Sequence, residues 1–96
     1  MATPRTNSAL READRRALRD VAKRFGEPKL YLFGSSLDPN REPQDIDLGV
    51  EGLAPERFYR FYSEIENAVS RPVDLVDLRD RNKFTELIRR FGVRVV

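Results

Sequence analysis

Between Gln44 and Val50 polar and apolar residues alternate without a break: Ile46, Leu48 and Val50 fall on one side of an extended chain, Asp45, Asp47 and Gly49 on the other. Strand side chains change direction at every residue, so this segment turns one face to a core and carries charge on the other. Any fold that holds it needs a sheet with an apolar layer against one side. The rest of the chain supplies that layer as helices. Leu10, Ala13, Ala17, Leu18, Val21 and Phe25 recur at helical spacing and predict an amphipathic helix over 8–25, with Ser8 as its N-cap and Gly26 then Pro28 as its stop. Leu30 to Phe33 is a short apolar run that fits a strand buried on both faces, ended by Gly34.

Residues 35–44 are polar and contain Pro39 and Pro43, the composition of a loop. Pro55 opens a second helix with Phe58, Phe61, Tyr62, Ile65, Ala68 and Val69 on its apolar stripe, ending before Arg71-Pro72. "PVDLVDL" then reads as a strand and "RNKFTELIRRF" as a helix with Phe84, Leu87, Ile88 and Phe91 on one side. Gly92 releases a terminal strand, "VRVV". The order is α-β-β-α-β-α-β. Three helices with one apolar stripe each predict an α+β fold, a mixed four-stranded sheet with helices packed on one face and the opposite face open. Asp45 and Asp47 lie on that open face. With the stripes accounting for most large apolar residues, no exposed patch is expected beyond what Tyr31, Tyr59 and Tyr62 contribute.

The 96 residues suit one domain spanning 1–96, and no repeat or internal boundary interrupts them. Without cysteine, disulfides, thiolate metal sites and cysteine nucleophiles are excluded. Without histidine, the commonest general base is missing as well. Chemistry falls to carboxylates, lysine, tyrosine and hydroxyls. The N-terminus lacks the apolar run of a signal peptide and no stretch approaches a membrane span, so a soluble, cytoplasmic protein with no membrane partner is expected. Net charge is +2, with basic residues concentrated in the first and last helices. Interspersed acids and the scarcity of aromatic residues among the cations make solvated helix faces the simpler reading, so direct nucleic-acid binding ranks last.

Asp45 and Asp47, two residues apart on one strand, project to the same side with their β-carbons about 7 Å apart, so their oxygens can converge on an ion between them. Held this close they repel, and a hard, oxygen-preferring cation is the simplest remedy. Magnesium fits, and because it is typically held by one or two carboxylates plus substrate phosphates, the pair implies a phosphate-bearing ligand. The Gly34-Ser35 turn offers backbone amides and a hydroxyl to phosphate oxygens. A third carboxylate comes from Asp74 or Asp77, whose odd separation sends them to opposite faces of their strand. Parity does not choose between them, because Val73, Leu75, Val76 and Leu78 make both faces apolar. Asp77, nearer the last helix, better suits a helix-terminal role.

In this order, "FGSSLDPNREPQDIDLGV" followed by "RPVDLVDL" resembles the minimal nucleotidyltransferase (MNT) domain of the polymerase-beta superfamily, the kind found as the antitoxin of HEPN–MNT toxin-antitoxin pairs. The resemblance implies the polymerase-beta-like nucleotidyltransferase fold. It makes Gly34, Ser35 and Ser36 the phosphate-binding turn and Asp45, Asp47 and Asp74 the catalytic metal ligands. It further implies two magnesium ions, ATP as the nucleoside triphosphate, and transfer of AMP to a hydroxyl of a partner protein, a HEPN ribonuclease toxin. Three departures from the family pattern motivate an alternative, a catalytically impaired binding module that neutralises its partner by complex formation. The stretch from Ser36 to Gln44 is one residue shorter than usual, Ser36 replaces an arginine and Gln44 replaces a serine. Arg41, in the same loop, is a possible source of the missing positive charge.

Overall fold

The structure is a computed structural model, and it describes residues 10–37 and 44–96. Its elements follow the expected order. Helix α1 spans Glu12–Lys23, strand β1 Lys29–Leu32 and strand β2 Ile46–Glu51. Helix α2 covers Phe58–Ala68, strand β3 Val73–Asp77, helix α3 Lys83–Phe91 and strand β4 Val93–Arg94. Two single turns of 3-10 helix are added, Gly34–Leu37 after β1 and Pro55–Arg57 leading into α2. The first falls where the composition predicts only loop. The expected N-cap Ser8 and the loop cation Arg41 lie outside the described residues; at the described end of α1, Arg11 holds the N-cap position in an extended conformation.

The sheet is mixed, in the order β3-β2-β1-β4. β1 runs antiparallel to both β2 and β4, whereas β2 and β3 are parallel, joined through α2 as a parallel pair requires. Ile46, Leu48 and Val50 point into the main core, where they meet Leu18 and Val21 of α1, Leu30 and Leu32 of β1, and Phe61 and Ile65 of α2. Phe61 closes this layer edge-on to Phe25, with ring centroids 5.2 Å apart. Each of these buried side chains contributes about 1.5–3 kcal/mol through its removal from water.

The helix stripes hold in outline and differ in two places. Ala13 and Ala68 face solvent, while Asp14, at the spacing that joins Leu10 to Leu18, is buried with 6% of its surface exposed. Its carboxylate accepts hydrogen bonds from the backbone N–H and the hydroxyl of Ser70, at 3.1 and 2.7 Å, which latches α1 to the end of α2.

A four-stranded mixed α+β sheet was expected and is present, but one layer differs. α1 and α2 cover the Ile46-Leu48-Val50 face, whereas α3 lies against the opposite one, which was expected to be open. Gly49, on the Asp47 face of β2, explains how. A β-carbon there would stand 3.0 Å from Ile88 Cγ2 and 3.1 Å from both Leu78 methyl carbons, so the missing side chain lets α3 close onto the sheet. Leu78 and Ile88 are buried here and are not members of the main cluster. α3 begins with a capping box, in which Asn82 Oδ1 accepts from Thr85 N at 2.9 Å and Thr85 Oγ1 accepts from Asn82 N at 3.1 Å. Beneath the far end of α3, the Tyr31 hydroxyl donates to Glu51 at 3.3 Å, and burial together with that carboxylate pushes the phenol's pKa up.

Candidate active site

Two of the acids, Asp47 and Asp74, come into register at the end of the sheet where β2 enters. β2 and β3 pair in parallel with Asp47 directly opposite Asp74. Register partners on adjacent strands share a face, and the two backbones lie about 4.8 Å apart. Asp77 pairs with Val50, which puts it on the face occupied by α1 and α2. Its carboxylate accepts from the backbone N–H of Arg79 at 2.9 Å and so serves the turn before α3. Asp45 stands one residue ahead of β2, exposed, at the same parity as Asp47.

Each acid is held by its backbone. The ladder continues one residue beyond the start of β3 and the end of β1, with Ile46 N donating to Pro72 O at 2.8 Å and Phe33 N donating to Asp47 O at 3.1 Å. β3 is an edge strand, so its outer peptide groups would lack partners. The Tyr62 hydroxyl supplies them, donating to Val73 O at 2.8 Å and accepting from Leu75 N at 3.3 Å, the two groups that flank Asp74. Sequence periodicity places Tyr62 on the helix stripe and gives no sign of this role, because the bond depends on where α2 crosses the sheet edge.

The turn after β1 abuts the acids. Gly34 has φ +65°, a conformation that other residues adopt only with strain. A β-carbon at this position would sit 2.8 Å from Asp47 Oδ2, so glycine is required both by the turn and by the neighbouring carboxylate. Ser35 follows in the same 3-10 turn. Ser36 is turned inward, 2% exposed, and its hydroxyl accepts from Asp47 N at 2.9 Å and donates to Asp45 O at 3.3 Å. That side chain therefore splices the turn to the start of β2 and fixes the backbone between the two aspartates.

The donor set is made of carboxylate oxygens, the chemistry a hard divalent cation prefers, and glycine at position 34 lets the turn approach Asp47 Oδ2 more closely than a β-carbon would allow. The residues therefore fit magnesium in kind. Among the described residues, however, no group of three acidic side chains is gathered closely enough to hold an ion: Asp47 and Asp74 are register partners, and Asp45 lies exposed ahead of the strand pairing.

A mixed sheet with a glycine turn at the end of one strand and acids in register on the next two is the arrangement of a nucleotidyltransferase. The chain matches the family described as polymerase beta, nucleotidyltransferase, over residues 18–95, and it belongs to that family. In three dimensions it is similar to a chain from the crystal structure of the toxin-antitoxin MntA-HepT. The TM-score is 0.63 at 20% identity, over 90% of this chain and 72% of that one, a likeness that shows the shared fold. No curated protein matches the chain. Among the described residues, no helix is long and apolar enough to cross a membrane.

Proposed function

We propose that this chain is a magnesium-dependent nucleotidyltransferase that moves AMP from ATP to a hydroxyl of a partner protein. In this reading it acts in the cytoplasm as an MNT-type antitoxin against a HEPN ribonuclease toxin. The observation that carries the chemistry is the register of β2 on β3, with Asp47 opposite Asp74 and Gly34 against the Asp47 carboxylate. The partner class is supported by the fold shared with a chain of the MntA-HepT toxin-antitoxin structure.

Asp45, Asp47 and Asp74 would hold magnesium, which supplies positive charge to the phosphoryl oxygens when bound. The Gly34-Ser35 turn presents backbone amides to the triphosphate, and Ser36 keeps that turn in step with the aspartates through its bonds to Asp47 N and Asp45 O. The acceptor oxygen forms a bond to the α-phosphorus as the bond from that phosphorus to the bridging oxygen breaks. Pyrophosphate leaves, and the hydroxyl proton passes to the Asp74 carboxylate. The site needs no histidine for this sequence of events.

The test is incubation of the chain with ATP, magnesium and HEPN-type proteins, followed by intact-mass measurement. An adenylate-sized gain on the partner that disappears with Asp47→Ala is expected; a gain that persists in that variant rules the assignment out. The lack of a gathered acid triad among the described residues favours a second reading, a binding module that masks its partner without chemistry. That reading predicts full inhibition of the toxin by the Asp45→Ala, Asp47→Ala double variant.

A further inference from the structure

The C-terminal helix carries an apolar ridge that the fold does not cover. Thr85 and Ile88 face the sheet, which leaves Phe84, Leu87 and Phe91 outside, with 52, 54 and 64% of their surfaces exposed. They are spaced three and four residues apart and so form one continuous stripe along α3. Beside it an open cleft of about 780 Å³ is lined by Leu87 together with Arg81, Lys83 and Arg90, with Glu86 as its acid. The stripe also starts next to the candidate active site. The Phe84 ring packs edge-on against Phe33 at 5.7 Å, and Phe33 immediately precedes the Gly34 turn that abuts Asp47.

From this we infer that the outer face of α3 is the docking surface for the acceptor protein, and that the partner element it takes is a helix with an apolar ridge and acidic flanks. The inference rests on the transferase reading above and adds the surface and the chemistry of the partner. Charge selects the occupant. A second copy of this chain would bring a cationic rim against a cationic rim, whereas acidic flanks complement Arg81, Lys83 and Arg90. Size points the same way. A helix of nine residues is about 14 Å long and does not by itself supply the roughly 800 Å² per partner that a stable interface buries. An acceptor that also reaches the aspartates adds the remaining contact. Leucine in the centre of the ridge favours a protein over bases that stack on aromatic rings.

The probe is a helical peptide with leucines every three or four residues and glutamates along both flanks, set against a twin in which lysines replace the glutamates. Fluorescence anisotropy with the whole chain, without nucleotide, is expected to show the acidic peptide binding at least about tenfold tighter, with affinity falling as salt rises. The Leu87→Asp, Phe91→Asp variant is expected to lose that binding while its circular dichroism and its calorimetric uptake of magnesium-ATP stay unchanged. Equal binding of the two peptides overturns the inference, as does binding that survives the double substitution. So does preferential binding of an RNA oligonucleotide, or a dimer in sedimentation that Leu87→Asp dissolves. Because the peptide is measured without ATP, loss of transfer alone counts against the reaction and loss of peptide binding alone counts against the surface.

Discussion

Gly34 and Asp47 show how narrow the tolerances at this site are. With φ at +65° and Asp47 Oδ2 only 2.8 Å from where a β-carbon would stand, even alanine must either move the turn or displace the carboxylate. Gly34→Ala is expected to cost about 1–2 kcal/mol in left-handed backbone strain, read by urea denaturation. The larger effect should appear in transfer, with a loss of about a hundredfold, since displacements near 1 Å are enough for that. An unchanged transfer rate would mean that Gly34 does not set the position of Asp47. Of the candidate site residues, the positions of Asp45, Asp47 and Gly34 at strand ends are legible from the sequence, because period-two alternation and a glycine closing an apolar run are local signals. Asp74 is not separable from Asp77 in that way. Both faces of β3 are apolar, and only the pairing of Asp74 with Asp47 and of Asp77 with Val50 sorts them.

At the level of elements, the stability of β3 as an edge strand depends on a side chain from α2. The Tyr62 hydroxyl satisfies Val73 O and Leu75 N on either side of Asp74. Tyr62→Phe keeps the ring in its place on the helix stripe and leaves those two peptide groups to water. We expect a loss of about 1 kcal/mol in unfolding free energy. Transfer should slow by a larger factor than magnesium-ATP affinity, measured by calorimetry, weakens. Asp74, one of three proposed ligands and the proposed proton acceptor, loses the brace on its backbone while the Gly34 turn keeps its own. Equal losses in affinity and rate would point to a general loosening instead. α3 was expected on the same face as the other helices, and Gly49 is the residue that the expectation overlooked. A glycine among Asp45, Asp47 and Val50 can be read as part of a bare polar face or as a place where another element comes close, and pattern alone does not distinguish the two. The same ambiguity hid the ridge of Phe84, Leu87 and Phe91. With Ile88 they form one apolar side on a helical wheel, but only Ile88 and Thr85 are claimed by the sheet.

Over the whole molecule, the Asp14 latch ties together the two helices that cover the Ile46-Leu48-Val50 face. It joins α1 to the end of α2 across 56 residues of sequence through two hydrogen bonds to a buried carboxylate. Asp14→Ala is expected to lower stability by about 1–3 kcal/mol, seen as a lower urea midpoint with an unchanged slope. Ser70→Ala should cost less, because the backbone N–H of residue 70 can still donate to Asp14. Equal effects of the two substitutions would show that the hydroxyl carries the latch. The stripe spacing marks Asp14 as a member of the buried side of α1, yet its charge marks it as solvated, and composition alone favours the second.

The sequence by itself determined the elements, their order and the polarity of β2, because each depends on residues within one or two turns of one another. Hydrophobic periodicity, glycine and proline stops, and the Gly34-Ser35 and Asp45-Ile46-Asp47 spacings are all local. The tertiary structure alone decided which face α3 covers, which aspartate of β3 joins Asp47, and which side chains of α3 remain in water. Those outcomes follow from strand register and from close approach at Gly49, contacts between residues far apart in the chain that no local pattern records.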